Sequence, residues 1–350
     1  MRPLLAIVAG LLVTALVAAG VTLAVLRTQS RTNNQQVNLQ TGVTITEDSA
    51  IVAAATKARP AVVSVVTQHN PTIVTGSGYL ATSDGYIVTN INVVAGANGM
   101  TVLVPGDSKA HDARLVDYDC QTGVAVIKID KVSGLPTLGF ADPNALVQGQ
   151  VIVAVGGPVD GGSVTPAYVS AMHRVRLASN PVDLGHTLQF SDTIETSAVI
   201  DDGTSGGPLL NVGSQVIGIA MGSASSRAGF GLNVADIQDD VQQILQTGQV
   251  TVASLGAGTT DVTPEAAVLN GLPQGSQIVA ADKGGAAANA GLKVGDVITQ
   301  LDDVHLDAAH PLTLLLRSRF HAGQRVTVTY SRGGQSTQAE LSLTGQHPGC

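Results

Sequence analysis

Between Val62 and Ala235 the chain repeats one pattern: a run of about four to eight residues rich in Val, Ile and Thr, then a Gly-, Pro-, Asn- or Asp-bearing turn. Val62 to Thr67 begins it, and "TGSGYLAT", "SDGYIVTN", "TVLVPGDS", "ARLVDYD", "VAVIKID", "QVIVAVGG", "TPAYVSAMHRVRL", "SDTIETSAV", "GPLLN", "QVIGIAMGS" and "GFGLNVA" follow. Such segments are too short and too β-branched to be buried helices. A single short strand also cannot cover its own backbone, so the runs must pair into an all-β barrel or sandwich. Composition agrees, with 40 Gly, no Trp and 44% hydrophobic residues. A short helix signal, "SAIVAAATKA", precedes the region and stops at Pro60. "DIQDDVQQILQTG" closes it as a helix, with Val241, Ile244 and Leu245 as the apolar stripe and Gly248 as the stop.

A second unit runs over 250–345 and mixes periods. "GSQIVAADK" and "VITQLDD" read as strands, "GGAAANAGLKVGD" as a short Ala helix ending at Gly291, and "HPLTLLLRSR" as an amphipathic helix. "RVTVTYSRGGQSTQAELSL" reads as a hairpin turned at Gly333-Gly334. Residues 346–350 are a tail. At the other end, after a two-residue tip, Pro3 to Leu26 carries no charge and is long enough to span a bilayer. It is an uncleaved anchor or a signal peptide cleaved after Val17-Ala18-Ala19. Residues 27–46 are a polar linker. With 18 Lys+Arg against 26 Asp+Glu and a net charge of −8, the chain lacks the basic face that nucleic acid requires. The two cysteines, Cys120 and Cys350, are compatible with one disulfide in an oxidising compartment, and no His/Cys cluster has metal spacing.

One loop carries chemistry. "DDGTSGGPLLN" places Ser205 among glycines ahead of an apolar strand. With "GSGYLATSDGYIVTN", "VVAGA", "LGFADPNALVQGQVIVAVGGP", "VSA", "VIGIA" and "GFGLNVA" in order, and "AGLKVGDVI" and "AGQRVTVTYSRGGQ" beyond them, the chain resembles the HtrA/Deg family over about residues 47–345. The resemblance implies a mainly β fold: a chymotrypsin-like double six-stranded β-barrel over 47–249, then an α+β PDZ domain over 250–345, behind an N-terminal transmembrane helix. It also implies no cofactor and no metal. The family's triad runs His, Asp, Ser. Ser205 occupies the nucleophile's place, and the Gly203 and Ser205 amides that of the oxyanion hole. Where the family has "TNNHVVAGA", this chain reads "TNINVVAGA", so Asn92 replaces the histidine. Where it has "TDLAV", this chain reads "TGVAV", so Gly123 replaces the aspartate. An amide has no basic lone pair to take the serine proton, and a glycine orients nothing. The expected protein is a pseudoprotease. The alternative is an active endopeptidase in which Ser205 uses another base, with His69, His111, His173 and His186 as the histidines of the first unit, or Asp117 and Asp119 if a bulge re-aims them.

The PDZ resemblance implies binding of unfolded polypeptides or protein C-termini as an added strand, the terminal carboxylate resting on backbone amides of Ser254, Leu255, Gly256 and Ala257. Leu312, Leu315 and Leu316 are expected to shape pockets, or to pack in the core, with His310 near the helix start and Arg317 and Arg319 suiting its C-terminal dipole. The family also implies a trimer held by N-terminal aromatics, which 27–46 lacks, and domains outside the cytoplasm, periplasmic or extracellular, on a single membrane span.

Overall fold

The computed structural model describes residues 46–350 except Asn70, 182–186, 223–228, 308–309 and 349–350, with backbone alone at 46–48, 160 and 179. The expected span at Pro3–Leu26 and the linker lie outside the described residues. No described helix is long and apolar enough to cross a membrane.

Helix α1 (Thr46–Ala58) buries Ala54, Ala55 and Ala58. Strands β1 (Val62–His69), β2 (Thr72–Leu80), β3 (Tyr86–Asn90), β4 (Gly99–Leu103), β5 (Ala110–Tyr118) and β6 (Val124–Ile129) close into a barrel in the order β1-β2-β3-β6-β5-β4. A four-residue helix, α2 (Ile91–Val94), follows β3. A second barrel comprises β7 (Val151–Val155), β8 (Val164–Ser179), β9 (Thr187–Thr196), β10 (Pro208–Leu210), β11 (Val216–Met221) and β12 (Phe230–Asn233), in the order β10-β11-β12-β9-β8-β7. Closure leaves no open edge in either sheet, which is how so many short strands satisfy their backbones. Helix α3 (Val234–Thr247) ends at Gly248 in the left-handed conformation and buries Val241 and Ile244 in a core shared by both barrels; Leu245 packs at its margin.

The second body begins with β13 (Val252–Ser254) and β14 (Ala257–Val262), then α4 (Pro264–Asn270), β15 (Gly275–Ala281), α5 (Ala286–Asn289), β16 (Val297–Leu301), β17 (Val304–His305), α6 (Leu312–Ser318), β18 (Arg325–Arg332), β19 (Gln335–Ser342) and β20 (Thr344–Gln346). Its sheet runs β14-β15-β16-β18-β19, with β17 beside β16, and β13 pairs β20. Gly333 and Gly334 turn the β18–β19 hairpin at φ 58° and 82°, as a two-residue turn with both angles positive requires. Helix α4 has no buried residue, so no apolar stripe announces it in the sequence.

Two features of this frame set the site. Asn90 at the end of β3 pairs with Val124 at the start of β6, which brings the loops on either side of Asn92 and Gly123 together. The Ser205 loop is stitched to the first barrel: Ser77 N–H donates to Ser205 O at 2.7 Å, and Ser77 Oγ donates to Gly203 O at 2.5 Å.

Candidate active site

Ser205 is 7% exposed, in the turn that leads into β10. Its Oγ accepts from Asn90 Nδ2 at 2.8 Å and from Gly222 N–H at 3.1 Å. A hydroxyl oxygen has two acceptor positions, and both are taken. Among the described residues no imidazole or carboxylate hydrogen-bonds it. The Ser205 amide, expected to face an oxyanion, instead donates to Asp201 O at 2.9 Å. Thr204 N–H donates to Asp201 Oδ1 at 2.8 Å, which tightens the same turn. In this conformation the Ser205 half of the oxyanion hole is therefore withdrawn, a departure from the sequence expectation. The turn's local hydrogen bonds cause it, which the letters "GTSGGP" do not reveal.

Asn92 and Gly123 are brought to this neighbourhood, but neither hydrogen-bonds the Ser205 hydroxyl. Asn92 Nδ2 points to Met221 Sδ at 3.2 Å. The amide that holds the serine belongs to Asn90, which also donates to Ala220 O at 2.9 Å and caps α2 by accepting from Val93 N–H at 3.1 Å. Sequence reasoning passed over Asn90 because it stands at a family-matching position inside a strand end. Gly123 has φ 78°, and a Cβ built there lies 2.7 Å from Phe190 Cε1 and 3.2 Å from both Leu232 methyls. The volume beside the glycine is thus filled by second-barrel hydrophobics, and its backbone disfavours any side chain.

The alternative bases among the described residues are engaged elsewhere. The β5–β6 ladder does carry a bulge between Leu115 and Asp117, which the sequence did not disclose. It does not deliver a carboxylate to Ser205. Asp117 accepts from Val250 N–H at 2.6 Å and pairs with His347 at 2.8 Å. Asp119, fully buried, accepts from the amides of Gln121 at 2.7 Å and Thr122 at 3.2 Å, and from Arg317. His69 meets Thr67 Oγ1, His111 meets Asp107, and His173 meets Asp192. His186 lies outside the described residues.

In the second body, Leu255, Ala257 and Thr259 line one side of a cavity of about 240 Å³, and Leu312 and Leu316 the other. Strand β14 has one neighbour, β15, so among the described residues its outer edge is unpaired. Leu312 is 1% exposed and touches the cavity from the core, Leu316 is half-buried at its wall, and Leu315 packs wholly into the core rather than forming a pocket. Gly256 N–H, one of the expected carboxylate-binding amides, donates to Ser254 Oγ at 3.0 Å. His310 pairs with Asp307 and stays exposed.

Arg317 is the residue whose place the sequence least suggested. Expected only to complement a helix end, it leaves its own body and pairs with Asp119 and, in a two-pronged contact at 2.9 and 3.0 Å, with Asp240 on α3. Burial opposes its charge, but the two carboxylates hold the guanidinium above its ordinary pKa. Burial, with the Asp119 charge second, pushes Asp240 up to about 7.

Residues 76–219 match the family described as "Trypsin-like peptidase domain", and residues 253–343 match "PDZ domain". A "Serine protease Do-like HtrA" of Lactococcus lactis subsp. lactis is 32% identical over 292 residues, covering 77% of this chain and 70% of that protein. The chain belongs to the HtrA/Deg family. A second HtrA/Deg relative, "Probable periplasmic serine endoprotease DegP-like" of Halomonas elongata, is 36% identical over 276 residues, 77% of this chain. The chain spans 56% of that protein's length, little more than half. Among solved HtrA/Deg structures, "HtrA-type protease AlgW with decapeptide" superposes with a TM-score of 0.70 at 27% identity, over 85% of this chain and 99% of that one. Against this HtrA/Deg frame, Cys120 is a local feature: it is buried and disulfide-bonded, and the other cysteine of the sequence, Cys350, lies outside the described residues.

Proposed function

We propose that this HtrA/Deg protein is a pseudoprotease that recognises polypeptide C-termini through its PDZ groove. One observation carries the reading: the Ser205 hydroxyl is held as a double acceptor by Asn90 and Gly222, with no base among the described residues to receive its proton. Acyl transfer needs the opposite arrangement, with the hydroxyl donating to an imidazole that a carboxylate orients. Asn92 and Gly123 stand at the histidine and aspartate places. Without the base, turnover falls on the order of 10⁶-fold, and loss of the remaining partners adds little, so both places can be vacant together.

Peptide binding is supported by the unpaired edge of β14 opposite α6, with apolar walls and a backbone loop at one end. The similar AlgW structure is of that protease with a decapeptide. The periplasmic designation of the Halomonas relative supports placing both domains outside the cytoplasm, and the uncharged Pro3–Leu26 run supports tethering at a membrane. The role is then capture or sensing of exposed chain ends in the envelope rather than their hydrolysis.

Incubation of the protein with an unfolded polypeptide tests the reading. No cleavage is expected, and Ser205→Ala should behave as the parent does. Cleavage by the parent that is abolished in Ser205→Ala would overturn it.

A further inference from the structure

One of the PDZ amides expected to receive a ligand's carboxylate is already engaged. Gly256 N–H donates to Ser254 Oγ at 3.0 Å, and Ser254 Oγ donates in turn to Gln346 Oε1 at 2.7 Å. The first barrel supplies a donor at the same place. The groove cavity is lined by residues 252–255 and, from β14, by Ala257 and Thr259, so it lies at the loop end of the groove. Gln121, from the loop before β6, lines it too, beside Leu316 and Arg317 of α6. Arg317 Nη2 donates to Gln121 Oε1 at 3.2 Å. A guanidinium has no acceptor, so the Gln121 oxygen faces Arg317 and the amino group is left over. Among the described residues nothing accepts from that amino group, and the side chain is exposed. The loop beneath it is fixed, because Gln121 N–H and Thr122 N–H both donate to the buried Asp119 Oδ1, at 2.7 and 3.2 Å. Arg317 already faces two carboxylates, Asp119 and Asp240. It therefore positions Gln121 rather than receiving a third anion itself.

We propose that the groove is a composite site, in which Gln121 of the first barrel donates its free amide N–H to the terminal carboxylate of a bound peptide. The inference rests on the C-terminus-binding reading of the groove and adds a residue that reads the ligand from outside the PDZ domain. An ionised carboxylate has about four lone-pair positions, enough for the remaining loop amides and Gln121 together. A C-terminal carboxamide accepts more weakly and also presents N–H groups, which meet Gln121 donor to donor. Gln121 thus favours a free chain end over an amidated or internal one. Leu255, Leu312 and Leu316 give the ligand's last side chain apolar surroundings. The ligand class is a polypeptide with a free C-terminus and an apolar last residue, and its full recognition needs the barrel and the PDZ domain docked through Arg317.

The test uses the full-length protein in detergent micelles. The probe is a fluorescein-labelled decapeptide ending in three valines with a free carboxylate, beside its C-terminally amidated twin. The readout is the ratio of the two affinities, which a merely structural role of Gln121 would not move. Gln121→Ala removes the donor and keeps the loop's backbone bonds to Asp119, while Gln121→Glu puts a like charge in its place. Gln121→Ala is expected to weaken the free-carboxylate probe by about tenfold, as loss of a hydrogen bond to a charged group does, and to change the amidated twin little. Gln121→Glu, which can accept from the carboxamide, is expected to weaken the first probe further and to tighten the second. Melting temperatures should stay with the parent's, since the side chain is exposed. A ratio unchanged in both variants, even where both affinities fall together, overturns the composite site and leaves the groove reading to the parent's own preference for the free carboxylate. Absence of binding of either probe by the parent overturns both.

Discussion

At the residue scale, the proposed inertness of Ser205 rests on what surrounds it as well as on the residues at positions 92 and 123. Restoring Asn92→His with Gly123→Asp looks sufficient on paper, because it rewrites the family's letters. The tertiary packing argues against it. A side chain at Gly123 must adopt φ 78° and displace Phe190 and Leu232. We expect Gly123→Asp to lower stability by about 1–3 kcal/mol, read as a shift in urea midpoint, and the double variant to remain inactive on an unfolded substrate. Asn90 is the other residue on which the arrangement depends. It caps α2, satisfies Ala220 O and holds Ser205 with one amide. Asn90→Ala leaves buried polar groups unpaired and removes a cap, with an expected loss of about 1–3 kcal/mol in the same measurement. Ser205→Ala, which removes only an acceptor, should shift the midpoint less than Asn90→Ala does.

At the element scale, α6 has two faces with different duties. One buries Leu312 and Leu315 in the PDZ core, and the other sends Arg317 between Asp119 and Asp240. Those carboxylates belong to the loop before β6 and to α3, so a single side chain joins the PDZ domain to both parts. Arg317 is 16% exposed, and its partners are more buried still. Removing the cation strands two buried carboxylates, which is more damaging than loss of a surface pair. Arg317→Ala should destabilise by about 3 kcal/mol and separate the PDZ transition from that of the barrels in a thermal melt. A single transition unchanged in midpoint would sink the proposed coupling. The apolar stripe of "HPLTLLLRSR" made the helix legible, but a helix end rich in arginine looks the same whether it faces water or another domain.

At the scale of the whole molecule, the surface of α3 toward the PDZ domain gathers more negative charge than Arg317 can neutralise. Burial pushes the Asp236 carboxyl up to about 7, with Asp192 the next cause and Asp119 adding to it, against Arg317 and His173. A carboxyl raised in the folded state stabilises the fold below its unfolded pKa and loses that contribution as pH rises through the folded value. Stability from Asp236 should therefore be greatest near pH 4 and fall away by about pH 7. Asp236→Asn should flatten that slope and raise the melting temperature at pH 8, compared across a pH series at constant ionic strength. By itself, the sequence determined the strands of the two barrels, the Gly333-Gly334 turn and the loop that carries Ser205, because short β-branched runs, turn glycines and ordered motifs are local signals; it passed over β13, β14, β17 and β20, whose runs carry no such pattern. Its flanking motifs are also what the proposal of Asn92 and Gly123 as substituted positions rests on. Only the tertiary structure decided that Asn90 rather than Asn92 holds Ser205, that Phe190 and Leu232 crowd Gly123, and that Arg317 and Gln346 close contacts over long stretches of chain. Those outcomes depend on which side chains strand pairing and domain docking bring face to face, and no local period in a sequence encodes that.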